Sequence, residues 1–480
     1  MVQNLQKPLQ RLLEKGKWRW DEDFSKEALE KAFHELSQKG KLLKSNAYRR
    51  VIYLPESQHG IYIKYYPKIP LIKKILSFLG ITGHAAEQEW RLLRFLESHS
   101  LPVIHPLAMG EKCFWGFPLE ACFISLGADG KELSQIILEN PSLVPIQKVA
   151  QTLFQLEQLN IYHPDTHLEN FLFFSPEKIW MLDFQSAKKI PFLSLLPFTF
   201  RHRGLAKILQ SLLIMGKKEM ADELLESFLS LSKRKEKKKE KEKRNLWKLV
   251  QRLEKTRLWS RQKRIYKDSS SFQKTRWAGG SLYFHTSQKV EFWENLLDQK
   301  ETHQDFQLLS FSTSPLSFWK KGQGQLYWEI SRALWIQNIP HPQAMALWMG
   351  PRWEKLIIQN VESHLTLTKR LEKGPLSYPE LQNLAFLAVR LHGHPFLSAS
   401  LNGNQIGLFS SQKFGIIHPL ESCVLKASSW KQILQNLKTL GKLLGKQEKE
   451  WKQIYLEEWR QRGALSFHPH HEKIQSFLSL

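Results

Sequence analysis

Apolar and polar positions divide the chain into segments that alternate between a helical period and a period of two. Residues 1–40 mix charged and apolar groups at helical spacing and predict an N-terminal helical cap. Val51-Ile52-Tyr53 and Ile61-Tyr62-Ile63-Lys64, separated by a polar stretch from Pro55 to Gly60, predict a β-hairpin whose second strand ends at Lys64. From Ala85 to Glu97, Trp90, Leu93 and Leu96 recur every third residue and predict a helix carrying Glu89 in its first half. Leu101-Pro102 to Ala108 reads as a loop into a strand, and Ala121 to Leu126 as a strand before Gly127-Ala128-Asp129-Gly130. Ile146, Val149, Leu153, Leu156 and Leu159 mark a buried helix. Two apolar runs then follow, Phe171–Phe174 and Ile179–Leu182, with turn residues Ser175-Pro176-Glu177 between them, which predicts a second hairpin. A proline-broken apolar stretch, Phe192 to Phe200, leads to a further helix from Gly204 to Leu213.

From Ile265 onward this pattern recurs in worn form. Tyr266-Lys267-Asp268-Ser269 echoes Leu43-Lys44-Ser45-Asn46. Trp328-Glu329-Ile330 through Ile339-Pro340 to Ala344-Met345 echoes Glu89 through Leu101-Pro102 to Ala108-Met109. A helix at Leu381–Leu391 precedes Asn402–Ser410, and Gln412–Ile417 parallels Glu177–Leu182. Repeats of this length point to a duplicated domain and not a solenoid. In the second copy His418 stands where Asp183 stands in the first, Leu397–Ser400 offers no carboxylate to match Asp165, and no strand lysine is evident.

Composition narrows the classes. At 480 residues the chain is too long for one ordinary domain. Three cysteines with no CxxC pair exclude a disulfide framework or a cysteine zinc site and fit a reducing cytoplasm. No apolar run approaches the ~18 residues of a membrane span, so the expected location is cytoplasmic and at most peripheral on a membrane. A net charge of +24 points to anionic partners. Half of it lies in residues 233–264, with sixteen Lys or Arg against four Glu. Lys233–Arg244 reads as a solvated low-complexity run. Beyond it, Leu246, Leu249, Val250 and Leu253 form a helical stripe with Trp247 and Trp259 nearby, the composition of a helix lying on an anionic membrane. The competing reading is a helix packed on its own domain with a solvated basic face. The segment has no nucleic-acid docking motif, so no specific nucleic acid is expected. The His-rich Phe467–His471 reads as an exposed tail.

Candidate chemistry gathers between the helix at 146–159 and the second hairpin. His163-Pro164-Asp165-Thr166-His167-Leu168-Glu169-Asn170 is followed thirteen residues after Asn170 by Asp183-Phe184. The hairpin would return Asp183 to Asp165 and Asn170. One carboxylate can then take a proton from an attacking hydroxyl, while an amide and a second carboxylate hold Mg²⁺ on phosphates. This spacing is that of protein-kinase-like phosphotransferases, H-x-D-x-x-x-x-N followed by D-F-G. Upstream, Lys64 on a strand and Glu89 on a helix stand in the order of the pair that positions the phosphates of ATP. The expected fold class is α+β, a bilobal protein-kinase-like fold duplicated in tandem. Its expected divisions are a helical cap over 1–40, a catalytic domain over 41–232, a basic linker or amphipathic helix over 233–264 and a degenerate pseudokinase copy over 265–480.

Pro164 and His167 replace the Arg and Lys usual around the catalytic Asp of protein kinases. Together with Lys44–Arg50 before Ile61–Lys64, and Glu89-Trp90-Arg91-Leu92-Leu93 before Leu101-Pro102, they make the first half resemble the lipopolysaccharide kinase family, the Kdo and core-heptose kinases. That resemblance implies transfer of the ATP γ-phosphate to a sugar hydroxyl of a lipid-linked acceptor, the lipid A–core, at the cytoplasmic face of the inner membrane. It implies Asp165 as general base, Asn170 and Asp183 as Mg²⁺ ligands, Lys64 on the phosphates, Glu89 orienting Lys64, His163 supporting the loop and His167 near the transferring group. The sequence departs from it in lacking a glycine between Lys44 and Arg50 and in carrying Gln185 in place of the DFG glycine. A kinase of a protein or soluble small molecule, and a catalytically idle membrane scaffold, remain the alternatives; oligomeric state is open.

Overall fold

The structure is a computed structural model. It describes residues 3–462 except 23, 46–47, 56–59, 80, 128–129, 177, 233–234, 299–302, 314–320, 360–364, 396 and 410–412. The His-rich Phe467–His471, the hinge residues Ala128-Asp129, the turn residue Glu177, and Asn46-Ala47 of the strand-joining loop lie outside the described residues. The fold is mixed α and β and divides into two compact units, residues 1–212 with 219–249, and residues 213–218 with 250–480. Among the described residues no helix is long and apolar enough to cross a membrane.

The first unit opens with α1 (Gln3–Lys15), β1 (Lys17–Trp20), α2 (Lys26–Lys39), β2 (Lys41–Ser45), β3 (Arg50–Leu54) and β4 (Ile61–Tyr66). It continues through α3 (Leu71–Phe78), α4 (Ala85–Ser98), β5 (Pro106–Phe114) and β6 (Phe117–Leu126). These six strands form one antiparallel sheet in the order β1-β5-β6-β4-β3-β2. The cap is thus more than helical, since β1 pairs along β5 and completes the sheet edge. Ser25 caps α2 by accepting from the Ala28 N–H. Leu5, Leu9 and Leu12 of α1 and Phe33 and Leu36 of α2 share one core with Ile52, Ile63 and Ile124 of the sheet. Because side chains alternate along a strand, burying Ile61, Ile63 and Tyr65 in that core turns Lys64 to the other face.

Next come β7 (Lys131–Glu132), α5 (Leu133–Glu139), α6 (Ile146–Gln158), β8 (Ile161–Tyr162), β9 (Phe171–Ser175), β10 (Lys178–Met181) and β11 (Lys188–Lys189). The predicted second hairpin is β9-β10, extended by β7, while β11 pairs with β8. Three helices follow, α7 (Phe198–Arg201), α8 (Arg203–Ile214) and α9 (Lys218–Ser230), and then α10 (Glu236–Lys263).

Most of the basic segment, Glu236–Lys263, is helix α10. It is one continuous helix, and the division between units falls within it. Its charged first half is helical because its glutamates find partners: Glu242 is buried against Arg201, Glu236 pairs with Lys239, and Lys243 pairs with Glu226 of α9. The stripe predicted to meet a membrane is already used. Leu246, Leu249 and Val250 are buried within the protein, as are Leu258 and Glu254, while Leu253 is half-buried and Trp259 stays 49% exposed among the cations of α10.

The second unit contains β12 (Phe272–Trp277), β13 (Gly280–His285), α11 (Val290–Asp298), β14 (Phe306–Ser312), α12 (Gln323–Ile336), β15 (Ala344–Met349) and β16 (Trp353–Gln359). Its sheet order is β12-β13-β15-β16-β14. Then follow β17 (Leu365–Thr366), α13 (Leu367–Glu372), α14 (Tyr378–His392), β18 (Ser398–Ala399), β19 (Ile406–Leu408), β20 (Phe414–Ile416), α15 (Pro419–Ser422), β21 (Cys423–Val424), α16 (Trp430–Leu444) and α17 (Glu448–Arg462). A capping box of Ser377 and Glu380 starts α14, whose Leu381, Leu384 and Leu391 join Trp451, Tyr455 and Trp459 of α17 in the core. β17-β19-β20 and β18-β21 pair as β7-β9-β10 and β8-β11 do in the first unit. Two expected echoes shift. The hairpin after Tyr266–Ser269 lies next to β15, on the edge that β1 occupies in the first sheet, so it does not match β2-β3. Leu397–Ser400 runs through β18 itself, and the loop matching the Asp165 stretch is residues 400–405, also without a carboxylate.

Two imidazoles in this unit are buried as neutral rings. His341 donates from Nδ1 to the Ile339 carbonyl at 2.7 Å and meets Ser331 Oγ at 2.9 Å, and burial pushes it down to about 4. Burial pushes His394 down to about 3. Folded values below the unfolded ~6.5 give stability that is complete above pH ~6.5 and is lost as pH falls toward 4. The unfolding free energy from urea titration is therefore expected to drop between pH 7 and pH 5, by on the order of 1–2 kcal/mol for each ring, lowering the urea midpoint, and His394→Leu should flatten that slope. An equal midpoint at both pH values would contradict the buried neutral state.

Candidate active site

Lys64 is the centre of the site. Its Nζ lies 2.6 Å from Glu89 Oε1 and 3.2 Å from Asp183 Oδ1, so one cation joins β4, α4 and the segment after β10. Glu89 sits on the buried side of α4 with Leu93 and Leu96, four and seven residues on, and its side chain is 1% exposed. A carboxylate on such a face demands a counter-charge. Two carboxylates facing Lys64 keep its ammonium charged in spite of burial and raise its pKa. Burial raises the pKa of Glu89, because Lys64 is shared with Asp183 and offsets the penalty only in part. At Asp183 burial pulls upward, and Lys64 and Arg49 together outweigh it, so its carboxyl titrates below the ordinary range.

Asp183 occupies the left-handed region, φ 55° and ψ 58°, a conformation that costs a non-glycine residue energy and clusters at functional sites. The backbone that holds it there is tied to the loop before β9. Leu182 N–H donates to the Asn170 carbonyl at 2.8 Å, and Met181 N–H donates to the Pro102 carbonyl. Asn170, 7% exposed, donates from Nδ2 to the Asp165 carbonyl at 2.8 Å. That bond leaves the amide oxygen as its acceptor end. Asp165, Asn170, Asp183, Lys64 and Glu89 therefore form one connected chain of contacts. His163 lies beneath it, edge-on to Phe184 with ring centroids 5.1 Å apart. Burial drives its pKa down to about 4, and both Asp183 and Asp165 act on it electrostatically. His167 stands farther out, half-buried, with Nδ1 3.6 Å from Glu169 Oε2.

Three residues outside the predicted set complete the arrangement. Lys207 of α8 places Nζ 2.6 Å from Asp165 Oδ1, and this bond holds the Asp165 carboxyl below its usual range. Arg49 bonds to Gln185 and lies 3.9 Å from Asp183. Gln185, in the place of a glycine, thereby anchors a cation beside Asp183. A cavity of about 260 Å³ opens next to it, and Arg49, Tyr66, Gln185, Lys68, Pro70 and Lys73 are among the residues that line it. Lys207 lies 42 residues beyond Asp165, too distant for any local pattern to reveal. Arg49 lay inside the quoted Lys44–Arg50 stretch, though nothing in its spacing set it apart.

Among the described residues no three His, Cys, Asp or Glu side chains converge on a metal position. Asp183 and Asn170 each carry a side-chain oxygen donor, and the Leu182 N–H to Asn170 carbonyl bond ties their segments together. Two such oxygens are the protein share expected for Mg²⁺, which binds through one or two such groups and fills its shell with water and phosphate oxygens.

Residues 34–194 match the model of the lipopolysaccharide kinase (Kdo/WaaP) family, about a third of the chain. A solved structure described as WaaP in complex with acyl carrier protein aligns at 18% identity, covering 49% of this chain and 97% of that one, with a TM-score of 0.37. Comparison with curated proteins yields no match.

The approach of α8 to the catalytic-type loop depends on Gly204. A Cβ there would lie 2.9 Å from both the His163 carbonyl and Thr166 Oγ1. Gly204→Ala is expected to lower stability by about 1–3 kcal/mol, read by thermal unfolding, and to move Lys207 away from Asp165. A variant as stable as the parent would show that the loop yields freely.

Proposed function

We propose that the first unit is an ATP-dependent phosphotransferase acting on a sugar hydroxyl, Kdo or heptose, of a lipopolysaccharide inner core. The observation that carries this reading is Lys64 held between Glu89 and Asp183, with Asp183 joined through Asn170 to Asp165. The family match supports it, since residues 34–194 contain Lys64, Glu89, Asp165, His167, Asn170 and Asp183. Bound Mg²⁺-ATP would supply the phosphoryl group and a nucleotide leaving group. Asn170 and Asp183 would hold the ion, Lys64 would meet the α- and β-phosphates, and Glu89 keeps the Lys64 ammonium in place. Asp165 would receive the acceptor's hydroxyl proton as the new P–O bond forms. Lys207 fixes the Oδ1 side of Asp165 and leaves Oδ2 to the acceptor. His167 is exposed enough to touch the transferring group.

The second unit, on the same reading, is a degenerate second copy. Its strand and helix order follows that of the first unit from β13 to β21, and among the described residues it shows no counterpart of β2, β3 or α3. Glu329 of α12 corresponds to Glu89, but its partners are Lys321 at 2.5 Å and the Tyr266 hydroxyl at 2.7 Å, while β14 has no lysine. His418 caps α15 in the place of Asp183, with φ −117°.

Asp183→Ala is expected to abolish Mg²⁺-dependent ATP binding in calorimetry. Asp165→Asn should keep that binding and lower phosphoryl transfer to purified lipid A–core acceptors by roughly 10²–10⁴-fold. Labelling of generic proteins but not of lipid A–core would overturn the sugar acceptor, and absent ATP binding would leave the idle scaffold.

Lys207 gives a second test. Asp165 must be ionised to act, and Lys207 lowers its pKa. Lys207→Met should therefore move the acid limb of the pH profile of kcat/KM to higher pH, with ATP affinity unchanged. A limb that stays in place would remove Asp165 as the titrating base.

A further inference from the structure

Helix α3 has no buried residue. Leu71, Ile72, Ile75 and Phe78 on it, and Leu79 and Ile81 just after, are 42–73% exposed. Exposed apolar groups scattered singly are ordinary, but these follow each other on one short segment. The segment is also joined to a second exposed apolar element. The Phe78 ring stacks on Phe117 with centroids 4.2 Å apart, and a Cβ on Gly116 would lie 3.1 Å from Phe78. Gly116 belongs to the turn between β5 and β6, where Phe114 is 63% exposed and Trp115 83% exposed. Helix and turn tip therefore make one continuous apolar surface.

Charge decides what can cover it. Between Lys64 and Glu87 the sequence contains no Asp or Glu, while Lys68 and Lys73 are exposed and Lys74 is half-exposed. At the turn, Glu120 is taken up by Lys112 and the Tyr65 hydroxyl. An exposed apolar strip flanked only by cations, with an indole at its outer edge, matches the interface of an anionic bilayer, where aromatic and aliphatic groups enter the acyl boundary and lysines stay at the headgroups.

We propose that α3 and the β5–β6 turn form the membrane-docking surface of this protein, with anionic lipid as the partner. This assigns to α3 the role that the basic composition of residues 233–264 suggested for α10, whose apolar stripe is buried. Docking itself is independent of the reaction. One consequence rests on the sugar-kinase reading: Lys68, Pro70 and Lys73 also border the cavity shared with Arg49 and Gln185, so a lipid-linked acceptor could remain in the bilayer while its sugar reaches Asp165.

The test is co-sedimentation of the full chain with vesicles of phosphatidylethanolamine and phosphatidylglycerol, and with phosphatidylcholine alone. Strong binding is expected to the anionic vesicles only. Ile72→Asp with Ile75→Asp, and separately Trp115→Asp, should each weaken it roughly ten-fold or more. Because these side chains are exposed, circular dichroism and Mg²⁺-ATP binding should be unchanged. Neutralising Lys237, Lys238 and Lys241 of α10 should cost less than either. The proposal is overturned if the α3 and turn variants sediment like the parent, if only the α10 variant loses binding, or if the parent ignores lipid and self-associates instead. Loss of ATP binding in Asp183→Ala leaves this result untouched, so failure of docking and failure of the phosphotransferase reading are told apart.

Discussion

One buried cation shared by two carboxylates is the constraint on which the first unit turns. Lys64 cannot be buried in low-dielectric surroundings unless Glu89 and Asp183 accompany it, and removing one partner of such a group typically costs about 3–5 kcal/mol. Each of the three residues comes from a different element, so the sheet, α4 and the β9-β10 hairpin must all be in place before the charges balance. The left-handed Asp183 shows where strain is accepted to achieve this. Its backbone is over-determined by the Leu182–Asn170 and Met181–Pro102 bonds on either side of the hairpin end.

The second unit balances a buried helix carboxylate in a different way. Glu329 is still buried on the core face of its helix, yet it has turned to Lys321 and Tyr266, neither of which lies on β14. With the cation supplied from elsewhere, nothing requires a left-handed carboxylate after β20, and His418 adopts an ordinary backbone. Core packing alone, through Leu384, Leu391, Trp451 and Tyr455, is enough to hold the remaining elements.

Elements with strong periodicity were legible in the chain. The β9-β10 hairpin, α4 and α6 announce themselves by spacing, and the H-x-D-x-x-x-x-N stretch places Asp165 and Asn170 eighteen and thirteen residues before Asp183. Residues whose meaning comes from tertiary approach were not. Lys207 reaches Asp165 only because Gly204 lets α8 lie against the loop, and β1 is recognised as a strand only by its pairing with β5. The basic segment is ambiguous for a related reason. A stripe of Leu246, Leu249 and Val250 looks the same whether it faces lipid or protein, and periodicity cannot say which. The α3 stretch, by contrast, carried a usable signal, apolar residues at helical spacing between lysines with no acid nearby.

Charge density and membrane affinity are therefore separate quantities in this molecule. The exposed cations of α10, among them Lys237, Lys238, Lys241 and Lys248, raise the potential around the protein and draw it toward anionic surfaces over roughly a Debye length, ~8–10 Å in physiological salt. Attraction of that kind does not set an orientation, and salt weakens it. Apolar groups able to leave water do set one, and within the first unit α3 and the β5–β6 turn present several of them together. The helix that supplies most charge has spent its hydrophobic face on folding, whereas a helix of eight residues with modest charge has kept its own. Charge on α10 and apolar contact at α3 and the β5–β6 turn can then be altered independently, because they lie on different elements.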